Sequence, residues 1–401
     1  MTEARRADLA YVATAAFALG ALAAFGALQR RLELIGNDDL SRIWAGPRAL
    51  LVGADPYDPA TWAATAHALG TLPPDTPVYI YPPWVALVLV PLALLPLNVA
   101  SLTWLVASVV AGITGLRFLL RVALPGRPLM HAVAAAMLLL SWVGALSLVI
   151  GQWGFLLVAA LAATVGLLRR GRSAGAGSVA VALIAKPQLS ILAAPALALH
   201  ALWTDRRAGL RYVGVALAMS AALVALAWLA VPTWWPTWLL RVGSVQLGPD
   251  SDTVAGLLFT LFGAPGSAVA PIAIVALALP ALRFHPRADS WVAVWLALSL
   301  VVAPYANSYD QILLVVPIVI ASGVARRYSA RRAWIVLGAG AATLILGTPV
   351  LYEVAVRRHS ETFGVIVPLL VYGLILVSLW DRSAAREWSG YDPGSAHPPK
   401  V

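Results

Sequence analysis

Apolar runs recur along the chain at about 9–28, 84–96, 99–120, 129–150, 153–168, 175–186, 188–203, 210–231, 254–262, 268–283, 290–303, 311–325, 333–352 and 363–380. A helix that crosses a bilayer needs about 20 mostly apolar residues. The longer runs therefore predict membrane helices, and the shorter ones predict segments that cannot cross alone. The pattern predicts an all-α polytopic integral membrane protein with a bundle of about 11 to 13 membrane helices, in one domain over residues 1–381. Arg5 and Arg6 precede the first run without a small-residue cleavage site, so that run is expected to stay as an uncleaved first span. Residues 382–401, rich in Gly, Pro and Ser, are expected to form a disordered cytoplasmic tail.

Two segments resist a simple count of crossings. The stretch 84–120 should cross once, yet Pro96 divides it in two, which leaves 84–96 as a span or a re-entrant piece. The stretch 178–203 must leave and return to the same side, which predicts a hairpin with Lys186, Pro187 and Gln188 at its apex.

Composition supports the membrane reading. Hydrophobic residues make up 61% of the 401 residues and charged ones 11%, against about 25% charged in soluble domains. A large soluble catalytic domain is excluded. The net charge of +10 rests mainly on arginines at 169–172, 206–211, 283–287 and 326–332, with Arg382 and Arg386 beyond the last run. By the positive-inside rule these loops face the cytoplasm, so the excess does not imply nucleic acid. The loops at 29–83, 232–252, 304–310 and 353–362 then face outward. The chain has no cysteine, which excludes disulfides and thiolate chemistry. The six histidines do not cluster, and no phosphate-binding or dinucleotide-binding glycine motif occurs, so no metal, nucleotide or other cofactor is expected.

The candidate chemistry lies in the outward loops and in the few polar residues within apolar runs. The long first loop carries the pair Asp38 and Asp39 before an apolar stripe of Leu40, Ile43, Trp44, Leu50 and Leu51, which predicts a short interfacial helix. A carboxylate there either caps free N–H groups or acts as a catalytic base, and Asp39 is favoured as the base. Asp55 and Asp58, around Tyr57 in an Asp-Pro-Tyr-Asp-Pro run, read as turn formers. Tyr79 and Tyr81 enter the next apolar run, as an interfacial aromatic belt or as a platform for a sugar.

Ionisable groups inside a membrane are costly and mark functional sites by default. Lys186 is the lone lysine outside the tail and could hold a phosphate, with Gln188 and Gln152 donating nearby; snorkelling to the interface is the other reading. Arg241 is a second phosphate-binding candidate or an interface anchor. The run Pro304-Tyr-Ala-Asn-Ser-Tyr-Asp310 contains more hydrogen-bonding groups than a turn requires, which points to Tyr309 and Asp310 as site residues.

Several motifs recur in a defined order: Asp39 with Trp44-Ala-Gly-Pro-Arg and Ala-Asp-Pro-Tyr57-Asp-Pro, Tyr81-Pro-Pro-Trp with Leu-Ala-Leu-Leu-Pro96, Gly151-Gln152, Ala-Lys186-Pro-Gln188, and the 304–310 run. Over roughly 30–325 the chain resembles the bacterial polyprenol-phosphate-mannose-dependent α-1,2-mannosyltransferases of glycosyltransferase family 87. The resemblance implies a GT-C fold in the plasma (inner) membrane and a polyprenyl-phosphate sugar donor. It also implies a lipid or glycan acceptor on the extracytoplasmic face, with the first-loop acid, here Asp39, as base. Many relatives carry His where this chain has Asn307. The competing class is a lipid or sugar transporter or flippase, with Lys186 and Asp310 as substrate or coupling-ion sites. The long acidic first loop argues against it.

Overall fold

A computed structural model describes residues 39–70, 78–246 and 251–380, with 5, 6, 8–13, 16 and 20 from the N-terminal segment. Asp38, most of the first expected span and the 382–401 tail lie outside the described residues. All regular elements among the described residues are helical.

Six helices are long and apolar enough to cross a membrane: Leu97–Ala123, Arg206–Ala230, Ala264–Arg283, Ser308–Tyr328, Ala330–Arg358 and Thr362–Leu379. A seventh crossing results if Pro128–Leu139 and Trp142–Val149, bent by 48° at their junction, act as one span. This is fewer than the 11 to 13 expected. Three further apolar helices, Gly154–Arg169, Ser173–Ala185 and Asp289–Val301, are too short to be counted by the same measure.

The helices sort by what covers them. Between its polar ends, the stretch 312–325 of Ser308–Tyr328 is apolar on nearly every face, and the helix is almost wholly enclosed, as one without a polar face must be. Arg206–Ala230 buries little and turns Leu217, Leu226 and Leu229 outward. Its backbone bonds close internally, so hydrocarbon can solvate such a surface.

Leu97–Ala123 and Gly154–Arg169 pack side by side, and both end among arginines. At that end the Asp289 carboxylate accepts from Arg169 at 3.0 Å and Arg327 at 2.6 Å. Asp8 pairs with Arg117 and Arg121 at 3.1 and 2.8 Å. The same two helices start at the other end, beside the first-loop helix and Gln152.

Pro96 divides 84–120 as expected. Its first part is only two short pieces, Pro83–Val88 and Val90–Ala93, and the long helix begins at Leu97. The 178–203 hairpin also forms. Helix Ser173–Ala180 tightens into the 3-10 turn Val181–Ala185, Lys186 leaves helical geometry, and the chain returns through Pro187–Ser190 into Ala193–Thr204. Pro187 forces the break by excluding the residue before it from the helix. Ser299 pins the returning arm, accepting from the Ala193 N–H at 3.2 Å and donating to the Leu189 carbonyl at 2.8 Å.

The first-loop helix, Asp39–Leu51, forms where its apolar spacing predicts, but it does not lie on an interface. Leu40, Ser41, Ile43, Trp44, Ala45, Gly46, Pro47 and Ala49 are all buried in the protein body. The single stripe seen in the sequence omitted the small residues, which allow neighbouring chains to close in on the other faces. Gly46 shows this: a Cβ there would sit 2.2 Å from the Tyr79 ring.

Candidate functional site

Asp39 opens its helix, and its carboxylate is bound by side chains. Oδ1 accepts from Arg42 at 3.0 Å, and Oδ2 accepts from the Gln152 side-chain amide at 2.5 Å. Gly151 makes the second contact possible. Its φ of 74° is left-handed, and an added Cβ would lie 2.4 Å from Cβ of Leu40. Only glycine combines that turn with that approach. The Leu40 N–H donates to the Ile150 carbonyl at 3.0 Å and holds the two segments in register.

Behind Gln152 lies an aromatic wall. Tyr81 donates from its hydroxyl to Oε1 of Gln152 at 3.4 Å, and Tyr57 donates to the Tyr81 carbonyl at 2.5 Å. Ring contacts run from Tyr57 through Tyr79, Tyr81 and Trp153 to Trp104, with centroids 4.9 to 6.0 Å apart. These tyrosines are therefore internal and do not form the aromatic belt that their position before a helix suggested. Burial first, then the charge of Asp39, raises the Tyr81 hydroxyl well above the usual tyrosine range, which keeps it a neutral donor.

The second cluster hangs on Lys186. Nζ donates to Oδ1 of Asp310 at 2.8 Å and lies 4.7 Å from the centre of the Tyr309 ring. The two charged side chains are 6% and 1% exposed. Asp310 is also a cap: its Oδ2 accepts from the Asn307 N–H at 3.1 Å, in a capping box that starts the 3-10 turn Ser308–Leu314. The Asn307 amide donates in turn to the Tyr309 hydroxyl. The loop is thus a capped turn whose acid also pairs with Lys186.

Tyr81 joins the clusters. With Lys186, Gln188, Trp238, Tyr305 and Tyr309 it lines a small pocket of about 40 Å³ that mixes polar groups with apolar walls. Ala185 belongs to this wall and also to that of an apolar groove of about 690 Å³ bounded by Trp84, Gly115, Phe118, Trp153 and Leu167. The groove follows Gly154–Arg169 from the site toward the arginine end. Trp84 stands at its head, with its indole N–H on the Ile184 carbonyl at 3.1 Å and its ring against Trp238.

Of the candidates from the sequence, Asp39, Gln152 and Tyr81 meet, as do Lys186, Gln188, Tyr309 and Asp310. Tyr57 supports Tyr81 from behind. Arg241 is exposed and acts on Asp58 in the outer turn; it does not line the pocket. Asp55 and Asp58 are turn formers: Asp55 accepts from the Tyr57 N–H and Asp58 caps Pro59–Ala68. Asp38 is outside the described residues. Sequence reasoning passed over Arg42, Tyr305 and Trp238. Arg42 was legible, one helical turn beyond Asp39 on the same face. Tyr305 and Trp238 reach the pocket through tertiary folding alone.

The model of Glycosyltransferase family 87 matches residues 79–304, more than half of the chain. The match contains Tyr81, Gln152, Lys186, Gln188 and Arg241, starts after Asp39 and Tyr57, and stops before Tyr309 and Asp310. No curated protein matches the chain. The matched part includes the hairpin, the apolar groove and most of the pocket wall of an all-helical chain with lipid-compatible outer helices, and the chain accordingly belongs to glycosyltransferase family 87 and is a membrane glycosyltransferase.

Proposed function

We propose that the protein moves a hexose, with mannose as the first candidate, from a polyprenyl-phosphate donor to a lipid or glycan acceptor. The transfer takes place at the extracytoplasmic face of the plasma (inner) membrane. The observation that carries this reading is the junction, at Ala185, of a small pocket holding Lys186, Gln188 and three tyrosines with a long apolar groove. A sugar phosphate with a prenyl tail has these two parts in this order. The orientation follows from the arginine end, which the positive-inside rule assigns to the cytoplasm. The three short apolar helices, the returning arm Ala193–Thr204 of the hairpin and the first expected span would bring the crossings to about 12, in a single GT-C-like domain.

In this reading the acceptor hydroxyl gives its proton to Asp39, and its oxygen bonds to the anomeric carbon. The bond from that carbon to the phosphate oxygen breaks, and the polyprenyl phosphate leaves with the electron pair. Arg42 and Gln152 fix the orientation of the base. Lys186 spends one of its three protons on Asp310 and turns the others to the phosphate.

The test uses purified protein in nanodiscs with radiolabelled polyprenyl-phosphate mannose and a membrane-lipid extract. Wild type should transfer label into a new lipid, and Asp39→Asn should lower the rate by about 10²- to 10⁴-fold. If folded protein binds the lipid but transfers nothing from mannose, glucose or arabinose donors, the polyprenyl-donor reading fails in favour of a transporter or flippase.

A further inference from the structure

Behind the pocket, three stretches of chain meet at 251–253, 304–311 and 361–364, and a buried acid sits at their centre. The hydroxyl of Ser251 donates to the Ala306 carbonyl at 3.1 Å and accepts from the Ala306 N–H at 3.0 Å. The Asp252 N–H donates to the same carbonyl at 2.8 Å. The Gln311 side-chain amide divides its two protons between Oδ2 of Asp252 at 2.9 Å and the Gly364 carbonyl at 3.0 Å. Oε2 of Glu361 accepts the N–H and the hydroxyl of Ser308 at 3.1 and 3.2 Å. Gly364 closes on the acid so tightly that a Cβ there would lie 2.3 Å from Oδ2 of Asp252.

Counting protons singles out one atom. Asp252 is 1% exposed, and among the described residues its Oδ1 has no hydrogen-bond partner. Of the donors around it, Ser251 is spent on Ala306 and Gln311 on Oδ2 and Gly364, whereas the Ser308 hydroxyl, which donates to Glu361, is also within reach of the Asp252 carboxyl. An ionised Asp252 would hold an unpartnered oxygen in a buried site, with Glu361 and Asp310, both acids, as the charged groups acting on it. A protonated Asp252 removes the conflict, because Ser308 lies near enough to act on this carboxyl and its oxygen still has lone pairs to accept.

We propose that Asp252 is held as a carboxylic acid whose Oδ1–H is shared through Ser308 with Glu361, and that this latch positions the 304–311 loop carrying Tyr309 and Asp310. Asp252 is thus a positioning residue. The effect on transfer rests on the reading of the site given above, whereas the latch itself is independent of it. Burial, then the charge of Glu361, pushes the Asp252 carboxyl well above the carboxylate range. A raised native value adds stability that is complete below the unfolded value of about 4. That stability declines as pH rises and is gone once the native acid ionises.

The test follows the thermal unfolding and the infrared spectrum of the full-length protein from about pH 4 into the alkaline range. The acid C=O stretch present in wild type should be missing in Asp252→Asn. The melting advantage of wild type over that variant should shrink with rising pH and then level off. An unchanged acid band in the variant, or an advantage that grows with pH, overturns the proposal. If Asp252→Asn does not fold, Glu361→Gln decides. Removing the like charge should let the acid band disappear at a lower pH than in wild type, and no movement overturns the latch. Where sugar transfer is measurable, Asp252→Asn should keep its rate at alkaline pH where wild type falls. A wild type that transfers nothing refutes the donor reading and leaves the spectral test of the latch intact.

Discussion

The two ends of the bundle bury charge to different depths. At the arginine end, Arg327 is 57% exposed where it meets Asp289, and Asp8 meets two arginines on an open surface, while Asp289 and Arg169 at 14% are about as enclosed as Asp39 and Arg42 at 16%. The exposed pairs are worth about 0–1 kcal/mol each. At the site end, Lys186 and Asp310 are withdrawn further, to 6% and 1% exposure. Burying a pair like Lys186 and Asp310 costs desolvation that its attraction does not fully return. Stability alone gives no reason to keep it, and the proposed handling of a phosphate and a proton at this end would supply one.

The sharpest way to break this comparison is to remove one partner at the site end. Lys186→Met leaves Asp310 buried and uncompensated and should cost about 3–5 kcal/mol, read as a lowered melting temperature in nanodiscs, with sugar transfer lost. The double variant Lys186→Met with Asp310→Leu should regain most of the stability and none of the transfer. If it regains both, the pair is structural only.

A smaller effect is expected one layer behind. Gly46→Ala places a Cβ against the Tyr79 ring and should cost about 1–3 kcal/mol as overpacking. The displacement should pass through Tyr79 to Tyr57 and Tyr81, so transfer should fall more than the melting shift alone explains. Normal activity in a destabilised Gly46→Ala protein would detach the aromatic wall from the site.

The smallest change belongs to the arginine end. Arg327→Ala removes one of the two partners of Asp289 and leaves Arg169 at 3.0 Å. Its effect on unfolding should stay within about 1 kcal/mol and shrink with salt. A loss as large as that of Lys186→Met would erase the difference between the ends.

Much of this was readable before any coordinates. The hairpin apex at Lys186 followed from the arginines that put both ends of 178–203 on one side, and the break at Pro96 from the proline itself. The turn at Asp55 and Asp58 followed from its Asp and Pro content. The interfacial helix and the aromatic belt were misread for one reason: sequence pattern reports which residues avoid water but not whether lipid or protein covers them. Asp39–Leu51 and Tyr79 to Tyr81 are covered by protein. The Asp252 latch escaped notice because an outer-loop acid is usually solvated, and only the convergence of 251–253, 304–311 and 361–364 buries it.

The sequence by itself determined an all-helical membrane protein, the clustering of its arginines between apolar runs and the short roll of polar residues available for chemistry. These depend on local hydropathy and helix geometry, which act over one or two turns. Tertiary structure decided which of those residues meet. Asp39 finds Gln152 across 113 positions, and Lys186 finds Asp310 across 124. Pairings at that separation depend on how whole helices pack, and no local periodicity records them.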